Sequence, residues 1–268
     1  MTRPLLLLLV LAGCDASLDP ILEADVYYSL SGYLDASADT HTVRVEPVGR
    51  VVETPPDGPL DVRVTLSGLG LEVELRQRVD RLVTGPAHRF WTTADLEAGR
   101  TYRLTVRDPN GAETATDVAI PALEDVDVEV VPGPNNCPVF VSVDGAPRLA
   151  DVQAHYTVRS SSGAVERFEF SHLLAIDRGA DDVYRTEVFS GDDTSRFQVE
   201  ADAALEAEVV VAIGSEAWPE AAGLTLEAAI GYNGDVENGV GFVGGVVTQR
   251  YPFQPVISRG SSCMSGRR

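Results

Sequence analysis

Lysine is missing from this sequence: all 21 basic residues among its 268 are arginine, set against 41 acids. The formal net charge is −20. Such a surface repels phosphate backbones and anionic headgroups alike, which weighs against nucleic acid and anionic lipid as partners. The same bias fits a salt-adapted surface whose repulsion is screened by ions, or a genome that writes Arg in place of Lys. Histidine is scarce and scattered. The four residues His41, His88, His155 and His172 contain no His-Glu-x-x-His spacing, so a local zinc motif is lacking. No Gly-x-Ser-x-Gly elbow marks a nucleophile. Long helical periodicity and repeats of fixed period are also absent. The longest early apolar run, residues 5–12, is far short of the ~20 residues a membrane-spanning helix needs.

That short run is informative in its setting. Met1-Thr2-Arg3-Pro4 precedes it and Leu11-Ala12-Gly13-Cys14 closes it. A basic start, an apolar stretch and a small-residue site ending in cysteine resemble a bacterial lipoprotein signal with its lipobox. The alternative is an ordinary secretory signal that happens to contain a cysteine. The resemblance implies that residues 1–14 are signal peptide and lipobox, and that Cys14 becomes the lipidated N-terminus. It implies a partner in the membrane and a place in the cell envelope, at the outer membrane or the cell surface. Residues 15–25 then form a tether that reaches about 35 Å at most when extended. With Cys14 assigned to lipid, Cys137 and Cys263 remain as a candidate disulfide pair, the alternative being unrelated thiols. The bond would close a long loop, for which chain entropy gives roughly 4–5 kcal/mol as an upper figure.

The exported body reads as β throughout. With 44% hydrophobic residues it can build real cores. Residues 27–33, 42–46, 62–67, 71–76, 88–93, 96–106 and 113–120 alternate apolar and polar side chains between turn signals such as Pro55-Pro56-Asp57-Gly58 and Asp108-Pro109-Asn110-Gly111. Residues 122–136 read as a boundary, in which a strand over 126–130 precedes Pro132-Gly133-Pro134-Asn135-Asn136. Alternation returns at 139–143, 152–159, 165–170, 183–189, 196–201, 208–213, 224–230 and 240–248, with short helices expected over 202–206 or 215–222. The expected architecture is all-β with two sandwich-like domains, over 26–121 and 137–257, a linker at 122–136 and a tail at 258–268.

Two stretches carry further resemblances. Leu96-x-x-Gly99-x-x-Tyr102-x-Leu104-x-Val106 looks like the tyrosine-corner strand of immunoglobulin and fibronectin type III sandwiches. The resemblance implies that the Tyr102 hydroxyl bonds to backbone just upstream, with Leu104 and Val106 facing inward. A valine-rich strand ending in Ser215-Glu216-Ala217-Trp218 precedes Val236-Glu237-Asn238-Gly239-Val240-Gly241-Phe242-Val243-Gly244. Together with the lipobox and an Ig-like first half, these resemble an uncharacterised family of bacterial surface lipoproteins often encoded beside TonB-dependent receptors. This chain departs from that pattern by a shorter connection before its glycine-rich stretch. The resemblance implies an accessory role with such a receptor and no catalytic residues.

Candidate chemistry is thin. Gly239-x-Gly241-x-x-Gly244 matches the dinucleotide fingerprint as a string, but Val246-Val247-Thr248 after it reads as strand where a helix is required. Small residues that let a strand bend or approach a neighbour are the better reading. Acidic loops cluster the oxygen donors calcium takes, with Asp177, Asp181 and Asp182 as candidates, though none follows the EF-hand pattern. Trp91 and Trp218 are the sole tryptophans. Trp91 lies in a strand pattern that favours the core, whereas exposed aromatic pairs would favour glycan binding. The reading is a lipid-anchored, non-enzymatic binding or accessory protein without a cofactor. A structural or adhesive surface lipoprotein is one alternative, and a hydrolase on a β scaffold is another.

Overall fold

The computed structural model describes residues 26–48, 57–83, 85–134, 138–172, 177–197, 204–219 and 234–255. Among the described residues, alternation becomes strand almost everywhere it occurs; the expected strand over 224–230 and most of that over 196–201 lie outside them, and residues 196–197 form a turn. The first half contains β1 (Tyr28–Asp35), β2 (His41–Pro47), β3 (Arg63–Gly68), β4 (Leu71–Glu74), β5 (Arg76–Leu82), β6 (Gly85–Thr92), β7 (Thr101–Arg107) and β8 (Glu113–Ala119). The second contains β9 (Asp127–Pro132), β10 (Val139–Asp144), β11 (Arg148–Arg159), β12 (Val165–Ser171), β13 (Asp177–Arg178), β14 (Tyr184–Val188), a short helix α1 (Ser190–Thr194), β15 (Ala204–Gly214) and β16 (Gly239–Phe253). Residues 204–206 lie in β15 where a short helix was one expectation, because alternation there continues the apolar face of the strand.

The protein is all-β, built of sheets packed face to face. An eight-stranded sheet in the order β12-β11-β15-β16-β1-β2-β6-β5 forms one layer. Two four-stranded sheets, β4-β3-β7-β8 and β13-β14-β10-β9, form the other. The first core joins Leu30, Leu34, Val43, Val45 and Phe90 of the large sheet to Val64, Leu66, Leu104, Val106 and Val118. The second joins Val152, Ala154, Val209, Val211 and Ile213 to Val139, Val141, Val143 and Val188. At ~25 cal/mol per Å² of apolar surface removed from water, these interleaved aliphatic side chains supply the main drive to fold.

The expected tyrosine corner is present. The Glu97 amide donates to the Tyr102 hydroxyl at 2.8 Å, and the Tyr102 ring is buried in the first core with Leu104 and Val106. The strand over 126–130 is β9, which pairs antiparallel with β10 and so belongs with the second core.

The last strand ties the halves together. β16 runs parallel to β1, Tyr28 opposite Gly239 through Asp35 opposite Val246. Its other edge pairs antiparallel with β15, from Gly214 opposite Val246 to Ala207 opposite Phe253. The inward side chains Val243 and Val247 enter the first core, and Tyr251 and Phe253, farther along the same face, pack on the second. A continuous sheet therefore passes across the expected linker at 122–136.

The glycines of β16 permit this crossing. At Gly241, φ is +105°, and a Cβ there would overlap the Leu30 carbonyl of β1. At Gly245 a Cβ would overlap the Ala119 carbonyl at the end of β8. The string that matches a dinucleotide fingerprint thus lies inside a strand, where it allows close backbone approach.

Candidate functional site

The inner face of the large sheet is covered by the two smaller sheets, so its outer face is the surface left to present side chains. Strand parity decides what appears there. On β1 and β2 the outward residues include Ser31 opposite Arg44 and Tyr33 opposite Thr42. On β6 these continue to Arg89 and Trp91. From the second half, His155 stands opposite Glu169 on one side and Glu208 on the other, and Gln153 stands opposite Val210, which faces Arg250 on β16. These side chains line a trough of about 600 Å³ that draws Ser31, Arg44 and Arg89 from the first half and Gln153, His155 and Arg250 from the second.

The trough mixes polar and apolar side chains, and its arginines are neutralised by neighbouring acids. Arg44 Nε lies 2.8 Å from Glu46, Arg89 Nε lies 3.2 Å from Asp80, and Arg250 pairs with Glu208. Asp35 stitches its floor: its carboxylate accepts from the Ser37 amide at 2.9 Å, the Thr248 amide at 3.2 Å and the Thr248 hydroxyl at 2.8 Å. His155 Nε2 lies 2.7 Å from Gln153 Oε1. Burial lowers the His155 pKa below its ordinary value, and nearby Arg250 adds to this, against the carboxylates of Glu169, Glu208 and Asp151. The ring is therefore neutral at pH 7 and offers a donor and an acceptor. Arrays of this kind suit hydrogen bonding to a polar, extended ligand or to a protein surface.

Trp218 belongs to a third, smaller cluster. The turn after β15 folds it back over Gly214 and Gly244, where its ring meets Phe242 edge-on with centroids 5.4 Å apart. Ala150, Ala212 and Val246 complete this small cluster. Trp91 corrects the expectation of a core tryptophan. Its neighbour Phe90 fills the first core, and Trp91, one residue on, faces outward with the Arg76 guanidinium 5.2 Å from its ring centre. Both apolar neighbours fit the alternation, so composition alone could not say which one points in.

The remaining histidines serve the fold. His41 Nε2 donates to the Ala94 carbonyl at 2.9 Å. His88 Nδ1 lies 3.0 Å from Glu46, and its Nε2 donates to the Gly58 carbonyl at 3.1 Å. His172 Nε2 lies 3.0 Å from Asp193, whose same oxygen accepts from the buried Tyr156 hydroxyl at 2.8 Å. That cluster pins α1 to β11, and burial beside the Asp193 charge pushes the Tyr156 hydroxyl pKa up.

The calcium candidates are engaged with arginines. Asp181 takes two bonds from Arg185, at 2.9 and 2.7 Å, which hold its carboxyl down at about 2. Asp182 lies 3.1 Å from Arg178. The Asp177 side chain lies outside the described residues, as do Cys14, Cys137 and Cys263. Among the described residues, no group of three or more His, Cys, Asp or Glu is placed to hold a metal ion.

No family model matches this chain, and no curated protein does. Among solved structures, a type I pullulanase from Bacillus subtilis str. 168 complexed with maltose is similar over 69% of this chain, at 16% identity and a TM-score of 0.24. This chain spans only 23% of that enzyme. The FN1–FN3 domains of chicken CNTN1 are similar over 69% of this chain and 61% of theirs, at 13% identity and a TM-score of 0.28. A tetra-tandem repeat in the extending region of a large adhesion protein is similar over 86% of this chain and 50% of its own, at 16% identity and a TM-score of 0.22. At these TM-scores the likenesses carry no argument, and the fold class rests on the chain's own strands and sheets.

Proposed function

We propose that this chain is a lipid-anchored, non-enzymatic protein of the cell envelope that binds through the open face of its large sheet. The observation that carries the proposal is the trough itself, whose polar side chains come from both halves and converge along β16. Its ion pairs and neutral histidine present donors and acceptors without an activated nucleophile, which suits recognition more than bond cleavage. The lipobox-like start at Cys14 supports a membrane tether, and the resemblance in sequence supports an accessory role beside a TonB-dependent receptor at the outer membrane.

The test is capture of the native protein in mild detergent, with cross-linking and mass spectrometry of what comes with it. A receptor in near-stoichiometric yield, cross-linked through trough residues and lost with Arg89→Glu, is the expected result. Recovery of an acylated protein alone would overturn the accessory reading and favour a free-standing surface lipoprotein.

A further inference from the structure

The β5–β6 hairpin stands out by exposure and by charge. Leu82 is 44% exposed and Val83 is 108% exposed, side by side at its tip. β5 is the edge strand of the large sheet. Residues 76–89 hold Arg76, Arg78, Arg81 and Arg89 with Asp80 as their sole acid, within a chain whose acids outnumber its arginines 41 to 21. Asp80 is shared between Arg78 and Arg89, at 2.8 and 3.2 Å.

The pairing register fixes where this tip points. Tyr28 at the start of β1 stands opposite Pro47 at the end of β2. Arg44 stands opposite Arg89, and Leu82 opposite Gly85. The start of β1 and the hairpin tip therefore lie at the same end of the sheet. Val26 is the residue through which the chain leads back to Cys14, eleven tether positions away. Asp61 and Asp108, which flank β3 and β7, lie near Tyr28 at this end, while the exposed aliphatic pair lies at the β5–β6 corner.

We infer that Leu82 and Val83 form a second, reversible contact with the lipid surface that holds the anchor, with Arg81 beside them for headgroup phosphates. The inference rests on the lipid-anchor reading above. Aliphatic side chains leave water on entering the interfacial region, and arginine bonds phosphate oxygens in a fork geometry. The negative body does not prevent this approach, because its repulsion is screened beyond about 8 Å at physiological salt. A single point of contact beside the tether orients the sheet on the membrane instead of leaving it free to tumble.

The experiment uses the full lipidated chain carrying Val83→Trp, in vesicles of phosphatidylethanolamine and phosphatidylglycerol with or without brominated acyl chains. Flotation reports anchoring, and quenching in excess of the wild-type protein, which retains Trp91 and Trp218, reports the tip. The expected result is flotation with emission from the added tryptophan shifted to the blue and quenched about two-fold, an effect reduced by Arg81→Glu. Flotation with quenching no greater than wild type would leave the anchor standing and overturn the tip contact. Failure to float would overturn the anchor reading, and the tip contact with it.

Discussion

Replacing Gly241 with alanine tests whether β16 depends on close approach to β1. Two costs combine at this position. The backbone has φ +105°, a region side chains rarely adopt, and the new Cβ would overlap the Leu30 carbonyl. Backbone strain of this kind costs about 1–3 kcal/mol. Moving β16 off β1 to relieve the overlap loses ladder hydrogen bonds worth about 1 kcal/mol each. With roughly two bonds lost, the expected destabilisation is about 3–5 kcal/mol. In urea, with a slope of ~3 kcal/mol/M, the midpoint falls by about 1–1.7 M. Gly111→Ala is the control. Its φ is +88°, but a Cβ there meets nothing within 4 Å, so only strain of ~1–2 kcal/mol applies. Urea unfolding followed by tryptophan emission measures both variants. Equal shifts for the two would refute the reasoning, since the close approach would then contribute nothing.

Other expectations can be checked the same way. Tyr102→Phe removes the acceptor for the Glu97 amide while keeping the ring; Glu97 is exposed, so water replaces part of the bond and the loss is about 1 kcal/mol, seen as a fall of ~2–4 °C in Tm. Burial lowers the His41 pKa from 6.5, against the Ala94 carbonyl and the Asp35 and Asp95 charges, so the unfolded chain binds protons that the folded chain refuses. Its contribution is present above pH 6.5 and is lost as pH falls through the lower folded value. His41→Gln should flatten the urea midpoint against pH below 6.5 relative to wild type, and superimposable profiles would count against this account. Trp218→Ala uncovers Gly244 and Phe242 and should cost about 3–5 kcal/mol by calorimetry; a loss under ~1 kcal/mol would mean that the ring does not hold this cluster together. A chelator should leave Tm unchanged, because Asp181 and Asp182 are neutralised by Arg185 and Arg178; a drop of several degrees would show a bound cation.

Much of the strand content was legible because a half-buried strand writes its own alternation. The tyrosine corner was legible because its spacing is local, with Tyr102 and Glu97 five residues apart. The glycine string could be read as a packing device because the residues after it continue a strand pattern. The trough was hidden for a different reason. Arg44, Arg89, Gln153 and Arg250 are ordinary polar positions of strands, and nothing near them in sequence says that β16 brings them onto one face. The pairing of β16 with β1 depends on register between distant segments, which local propensity does not encode. β5 was missed because its arginines mask the alternation, as suits an edge strand that must resist further pairing.

The placement of β16 has a consequence for the order of events when the chain is made. The Ser37 hydroxyl donates to the Thr248 carbonyl across 211 residues. Until the final strand emerges, β1 has a bare edge, β15 has another, and neither core is closed. Contacts so distant in sequence form slowly, because loop closure precedes any gain from burial. Closure of the large sheet therefore waits until nearly all of the chain has been synthesised. Completion by the last strand then closes both halves together, so a chain cut short before β16 loses both cores at once.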